Sequence, residues 1–275
     1  MHSPVPVPRW PVASARASFK GALLRFMPNA LLQPLKRVRY LNTVRSFWSP
    51  EADVMVALVE EGDYVLDLGA YVGWYTRVLS QAVGPDGLVH SFEPVPDTFR
   101  LLSFCVRRLR LRNVTLFNCA ASRVNGKAVM MVPHYPTGGE NFHQASLLTE
   151  PEGTAPLRQF TVELRTVDSA LPAPPRPITF IKCDVEGHEA EALEGAARTI
   201  ERDRPALCVE VSGDPDAVGS TSHGIVSSLA HLGYEVYWLD SGRLTRRRPG
   251  DRSVNYFFLT ETHRSRLRAR GILPA

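Results

Sequence analysis

Between residues 50 and 121, and again between 178 and 259, apolar runs of strand length alternate with segments of helical periodicity. The run YVLDLG at 64–69 leads to an amphipathic stretch over 74–82, the turn GPDG, the run LVHSFEP, a second amphipathic stretch over 96–109, and VTLFNCA. ITFIKCDVEG, the helical HEAEALEGAARTIERD, PALCVEVS, a helix around GIVSSLAHLG, YEVYWLD and SVNYFFLT continue the pattern. The strands are apolar at consecutive positions, so both of their faces must be covered. A mostly parallel sheet with helices on each side meets that demand. The 275 residues provide for one large α/β domain or at most two small ones.

Three segments fall outside this rhythm. In residues 1–50, Pro4, Pro6, Pro8 and Pro11 deny a helix to the start. Apolar positions over 18–44 predict a cap of short amphipathic helices interrupted at Pro28 and Pro34. Residues 123–170 read as an insertion over one sheet edge, with KAVMMVPHY and QFTVELRTVD as antiparallel strands, and residues 261–275 as a basic tail. The main domain then spans 51–260, opening with Ser49 as N-cap and Pro50 at the first helical position.

The net charge of +4 hides an asymmetry, because the first fifty residues hold eight Lys or Arg and no acid. Five Arg in 243–252 and four in 253–275 face one acid each, Asp251 and Glu261, so an acidic body carries basic ends. Such ends suit an anionic membrane surface, an acidic partner or plain solvation. No apolar run reaches the roughly 20 residues of a membrane-crossing helix. Cys105, Cys119, Cys183 and Cys208 lack metal-ligand spacing and read as buried thiols of a reducing, cytoplasmic compartment. The opening MHSPVPVPRWPVASARASF has no apolar core of a secretory signal, and its Arg- and Ser-containing, acid-free composition is similar to an organellar transit peptide.

The first strand ends in D-x-G-x-x-x-G: Asp67, Gly69 and Gly73, with Ala70 and Tyr71 between. A dinucleotide loop needs a glycine where Tyr71 stands so that the backbone can approach a pyrophosphate. S-adenosylmethionine presents adenine and ribose but no phosphate, and needs a tight turn plus acidic acceptors instead. Glu93, at the end of the next strand, is placed to read a ribose, and Asp67 to favour the methionine ammonium. A glycine turn between strand and helix also has a purely steric explanation.

In IKCDVEGHE, burial of Ile181 and Val185 brings Lys182, Asp184, Glu186 and His188 to a strand's end. Ionisable groups at alternate positions of an apolar strand need a reason, because an unpaired buried charge is costly. A capping role for Glu186 or His188 is the competing explanation. His134, His143 and His223 fall in loops from which a polar acceptor could be read.

VLDLGAYVGWYT, HSFEPVPDTFRLL, NVTLFNCAAS, ITFIKCDVEGHEAEALEGA and RPALCVEVS, in that order over about residues 60–212, resemble the FkbM-type family of S-adenosylmethionine-dependent methyltransferases. The resemblance implies the Rossmann-like class I methyltransferase fold: a seven-stranded, mostly parallel sheet with an antiparallel last strand, flanked by helices. It implies O-methylation of a sugar, glycolipid or polyketide-type natural product. Asp67, Gly69, Ala70, Tyr71, Gly73, Glu93 and Pro94 fall at its cofactor positions, and Asn118 and Ala120 by the adenine. Tyr71 departs from the family, which commonly has Asn there.

Methyl transfer to a hydroxyl requires an aligned acceptor and a base. His188 or Asp184 is expected to take the proton, with Glu186 orienting. No resident metal is assigned; a magnesium-like ion on Asp184, Glu186 and His188 is the alternative. The expected acceptor is a small molecule, glycan or glycolipid, with membrane contact through the basic arm. Nucleic acid is not expected, since the basic segments lack interleaved aromatic platforms. RNA methylation and cofactor binding without catalysis remain as other readings.

Overall fold

The computed structural model of the chain describes residues 29–133, 146–147, 157–171 and 176–274. The elements run α1 Asn29–Ser46, α2 Pro50–Leu58, β1 Tyr64–Leu68, α3 Trp74–Ala82, β2 Leu88–Phe92, α4 Pro96–Leu109, β3 Val114–Phe117 and β4 Ala120–Ala121. There follow β5 Gly126–Pro133, β6 Ser146–Leu147, β7 Leu157–Arg165, α5 Val167–Ala170, β8 Ile178–Cys183, α6 Glu189–Glu194, α7 Ala197–Asp203 and β9 Ala206–Glu210. The chain closes with α8 Thr221–His231, β10 Glu235–Asp240, β11 Arg243–Arg246, β12 Asn255–Leu259 and α9 Glu261–Ala269.

The main sheet has the order β11-β10-β12-β9-β8-β1-β2-β3. β3, β2, β1, β8 and β9 are mutually parallel, and β12 inserts antiparallel between β9 and β10. The expected seven strands and the antiparallel last one are present. An eighth, β11, pairs antiparallel with β10 at the edge, inside the arginine-rich segment that composition marked only as basic. Strand parity sorts the core. Leu66, Leu68, Ile181 and Leu207 pack under α6, α7 and α8, while Val65, Val89 and Phe180 pack under α2, α3 and α9.

β4 and the strands of the expected insertion form a second sheet of order β4-β7-β5-β6, in which β5 and β7 pair antiparallel. Met130, Val132 and Val162 pack with Val95 beneath it. His134 and His143, like the proline-rich start, lie outside the described residues.

Two expectations are corrected. α1 runs through Pro34 as one helix rather than breaking there. The helix expected over 188–203 splits into α6 and α7 at Gly195, where a Cβ would lie 1.9 Å from the Ser122 carbonyl oxygen. The basic C-terminal segment packs on the body over residues 261–274: Leu267 and Leu273 are buried, and Arg268 and Arg270 reach Glu261 and Glu60 at 2.9 and 3.3 Å. The basic C-terminus is thus bound to the acidic body. All four cysteines are free and buried, and no helix among the described residues is long and apolar enough to cross a membrane.

Candidate active site

Parallel register places the functional residues in one row. Leu68 lies opposite Phe92 on one side and Cys183 on the other, and Cys183 lies opposite Val209. One residue further along each strand come Glu93, Gly69, Asp184 and Glu210. Three carboxylates and one glycine therefore occupy four adjacent strand ends, where the chain diverges from β1 to either side and an open sheet binds its ligand. Glu93, Gly69 and Asp184 of this row border a cleft of about 800 Å³, part of it open to solvent.

Gly69 is required twice over. Its φ is +82°, and a Cβ would stand 1.8 Å from the Asp184 carbonyl oxygen. The amides of Gly69 and Ala70 both donate to the Phe92 carbonyl, at 3.0 and 2.9 Å, pinning the loop to β2. Tyr71 follows in the left-handed region with φ +49°. Asn enters that region far more readily than a bulky residue does, which accounts physically for Asn as the family's habit. The hydrogen bond that matters here comes from the backbone: Tyr71 N–H donates to Glu93 Oε2 at 3.0 Å. The Tyr71 ring meets Tyr40 of α1 and Trp74 of α3 edge-on, with centroids 6.3 and 5.3 Å away.

Glu93 is buried, and its other oxygen accepts from Val95 N–H at 2.9 Å. Burial pushes its carboxyl up to about 8 against the pull of these two donors. Two bonds leave lone pairs on a carboxylate, which accepts about four. Phe92, Cys119, Ala120, Ala121 and Met130 give the adjoining wall an apolar lining.

Of the residues expected at the cofactor, Gly69, Ala70, Tyr71, Glu93, Pro94 and Ala120 line the cleft. Asp67, Gly73 and Asn118 stand behind it. Asp67 is fully buried, and Thr76 Oγ1 donates to its Oδ2 at 2.6 Å. Its Oδ1 has no hydrogen-bond partner among the described residues. Burial raises its carboxyl, and the Lys182 ammonium lowers it. Gly73 is the N-cap of α3 with φ +100°, and Asn118 Nδ2 donates to the carbonyls of Glu93 and Pro94 at 2.8 and 3.1 Å. These residues shape the site from outside.

On the other side of Gly69, Lys182 is buried and donates from Nζ to Asp184 Oδ2 at 2.7 Å, with the ammonium 4.5 Å from the Tyr75 ring centroid. Burial alone would lower its pKa, but Asp184 and Asp67 outweigh that and raise it. Asp184, Glu186 and Glu210 gather with carboxylate oxygens within 4.8 Å of one another. Burial, then a hydrogen bond from its own carboxyl to Asp184 and repulsion by the same group, pushes Glu210 up to about 9. Glu186, in a left-handed turn at φ +53° and exposed as a whole residue, rises to about 7 through the partial burial of its carboxyl and then Asp184 and Glu189.

His188 borders the cleft but is turned toward protein. Its Nε2 lies 3.0 Å from Ser122 Oγ and its Nδ1 3.4 Å from Glu191 Oε2. Burial lowers its pKa, with Glu191 opposing. Ser122 is buried and is not among the cleft-lining residues, so the array orients the imidazole. His223 sits in the first turn of α8, its Nδ1 3.1 Å from the Pro215 carbonyl, away from the cleft.

Sequence reasoning passed over Glu210, although it ends the apolar strand PALCVE as Asp184 follows IKC. With Asp184 and Glu186 it completes the set of three that can hold a divalent cation, the place expected for His188.

Strand order, glycine turn and strand-end acids define the architecture of a class I S-adenosylmethionine-dependent methyltransferase. Residues 67–236 match the family described as the methyltransferase FkbM domain, and the chain belongs to that family. Among solved structures, the FkbM methyltransferase of Methylobacillus flagellatus KT is 20% identical, with 74% of this chain and 45% of that chain covered and a TM-score of 0.48. Fibrillarin of Aeropyrum pernix, solved with S-adenosyl-L-methionine, is 16% identical over 76% of this chain and 72% of its own, with a TM-score of 0.45. A curated protein-L-isoaspartate O-methyltransferase of Methanothrix thermoacetophila is 34% identical over 58 residues, 21% of this chain and 28% of that protein.

The residues present fit the family's cofactor. Glu93 keeps acceptor capacity toward the cleft, an apolar wall adjoins it, and Tyr71 replaces the glycine a pyrophosphate would need.

Proposed function

We propose that this chain is an O-methyltransferase acting on a hydroxyl of a sugar, glycolipid or polyketide-type acceptor. The observation that carries the reading is the division of one row of strand ends by Gly69 into a carboxylate that can hold a ribose and a group of carboxylates that can handle a proton. S-adenosylmethionine, when bound, supplies a methyl group on a sulfonium whose departure as a neutral thioether needs no acid.

The protein's tasks are then alignment and proton removal, and alignment can contribute about 7 to 11 kcal/mol of barrier lowering. Glu93 and the apolar wall formed by Phe92, Ala120 and Met130 hold the nucleoside end. Glu186 takes the hydroxyl proton, because its carboxyl borders the cleft and titrates near neutrality. Asp184 is held by Lys182, and His188 by Ser122 and Glu191, so both position rather than accept. This shifts the base from His188 or Asp184 to Glu186.

A divalent cation on Asp184, Glu186 and Glu210, binding the acceptor oxygen directly, is the second reading of the same cluster. Transfer of labelled methyl from S-adenosylmethionine into fractionated glycolipids, free glycosides and RNA decides the acceptor class. Label in RNA alone, or in nothing, overturns the reading. Activity lost to a chelator and restored by magnesium replaces the carboxylate base with the cation.

A further inference from the structure

The cationic ends of the chain meet different fates. In α9 the arginines reach carboxylates of the body or of their own helix, among them Arg264 with Glu235 and Arg270 with Glu60. On α1 and the C-terminal half of α4 they do not; among the described residues of these helices only Arg100, at the start of α4, meets its own helix's Asp97. Lys36, Arg39, Arg45, Arg107, Arg108 and Arg110 are exposed, and among the described residues none of them has an ion-pair partner. The two helices lie together, with the Arg37 guanidinium 5.7 Å from the Phe104 ring centroid. The acid of α4, Asp97, sits at its far end and already meets Arg158 at 2.8 Å. Amid these cations Leu35 and Val38, one helical turn apart, are each 56% exposed.

We infer that the α1–α4 face docks on an anionic lipid bilayer, with Leu35 and Val38 entering the acyl boundary and the surrounding cations meeting the headgroups. Positive charge without an acidic partner among the described residues calls for an anionic occupant, and paired aliphatic side chains within it call for one with an apolar interior. RNA offers the charge but not the apolar layer, and Leu35 and Val38 give bases nothing to stack on. A second copy would set like charge against like. Residues 1–28 carry Arg9, Arg16, Lys20 and Arg25 and no acid, so they cannot neutralise the face. The same helix borders the cleft through Tyr40 on Tyr71, and the chain just after it stacks Phe47 on Trp74 with centroids 5.1 Å apart. Docking therefore sets the cleft beside the membrane. The inference stands apart from the reaction, since binding is measured without cofactor or acceptor.

The test is co-sedimentation of the full chain with phosphatidylcholine vesicles and with phosphatidylcholine–phosphatidylglycerol vesicles. Binding is expected to the anionic vesicles only and to weaken with salt. Arg107→Gln with Arg108→Gln should lower it by roughly fivefold per cation. Leu35→Ser with Val38→Ser should remove the part that survives high salt. All four positions are exposed, and an unchanged Tm with unchanged S-adenosylhomocysteine binding verifies the fold. Equal binding to neutral vesicles, or variants that bind as the parent does, overturns the inference. So does loss of binding on deleting residues 1–28 alone. RNA binding without vesicle binding, or a dimer dispersed by the Leu35 and Val38 changes without vesicle binding, gives the face to another occupant.

Discussion

Glu93 and Glu186 border the same cleft from opposite sides of Gly69, and the chain treats them in opposite ways. Glu93 is buried, and each of its oxygens is fixed by a backbone N–H, one of them from a tyrosine held in left-handed backbone to supply it. No hydrogen bond among the described residues fixes the Glu186 carboxyl, which stands with two other carboxyls within 4.8 Å. On the proposed reading, the group that holds a ligand is immobilised by dipoles that do not change, and the group that passes a proton is crowded by charges that make its two states close in energy.

The sharpest way to break this contrast is to remove the glycine that separates the halves. Gly69→Ala drives a methyl into the Asp184 carbonyl and forces an L side chain to φ +82°, so a loss of more than about 4 kcal/mol in urea unfolding is expected, with cofactor binding lost as well. Next in size, Glu186→Gln should lower kcat by about 10²- to 10⁴-fold while S-adenosylhomocysteine affinity, read by calorimetry, stays near the parent's. Equal losses in both measurements would erase the division of labour.

Glu93→Gln should do the reverse. The amide nitrogen turns a donor against either the Tyr71 or the Val95 N–H, and affinity should fall about 10- to 100-fold. In the parent, affinity should also decline as pH drops through about 8, because the proton Glu93 then takes up must leave before ribose hydroxyls can donate to it. Calorimetry in buffers of different ionisation enthalpy reads that proton. The smallest effect concerns stability. Glu93, Glu186 and Glu210 are raised from 4.5 to about 8, 7 and 9, so the folded chain holds protons that the unfolded chain releases. Their contribution is complete below about 4.5 and is lost as pH rises through about 7 to 9. Glu210→Gln should flatten that slope, by on the order of 1 kcal/mol because neighbouring acids share the proton. Urea midpoints across that range measure it.

The sheet was legible because consecutive apolar positions leave a strand no exposed face. The glycine turn and Glu93 were legible because a pyrophosphate cannot pass Tyr71 and a strand-end acid next door has a use for ribose. Asp67 was placed on the cleft by its neighbourhood in sequence, but strand parity turns it with Val65 toward α3, where Thr76 waits. Glu210 was missed because an acid ending a strand looks solvated until the register with β8 sets it beside Asp184. The break at Gly195 and the capture of the C-terminal arginines depend on Ser122 and Glu60, contacts over long stretches of chain that no local pattern announces.

The clearance of 1.8 Å between a Cβ at residue 69 and the Asp184 carbonyl couples two strands that are more than a hundred residues apart in the chain. On the proposed reading, widening the nucleoside side of the cleft would move the side that handles the proton with it, so a substitution near one strand end is expected to be tolerated better when a change at the other accompanies it.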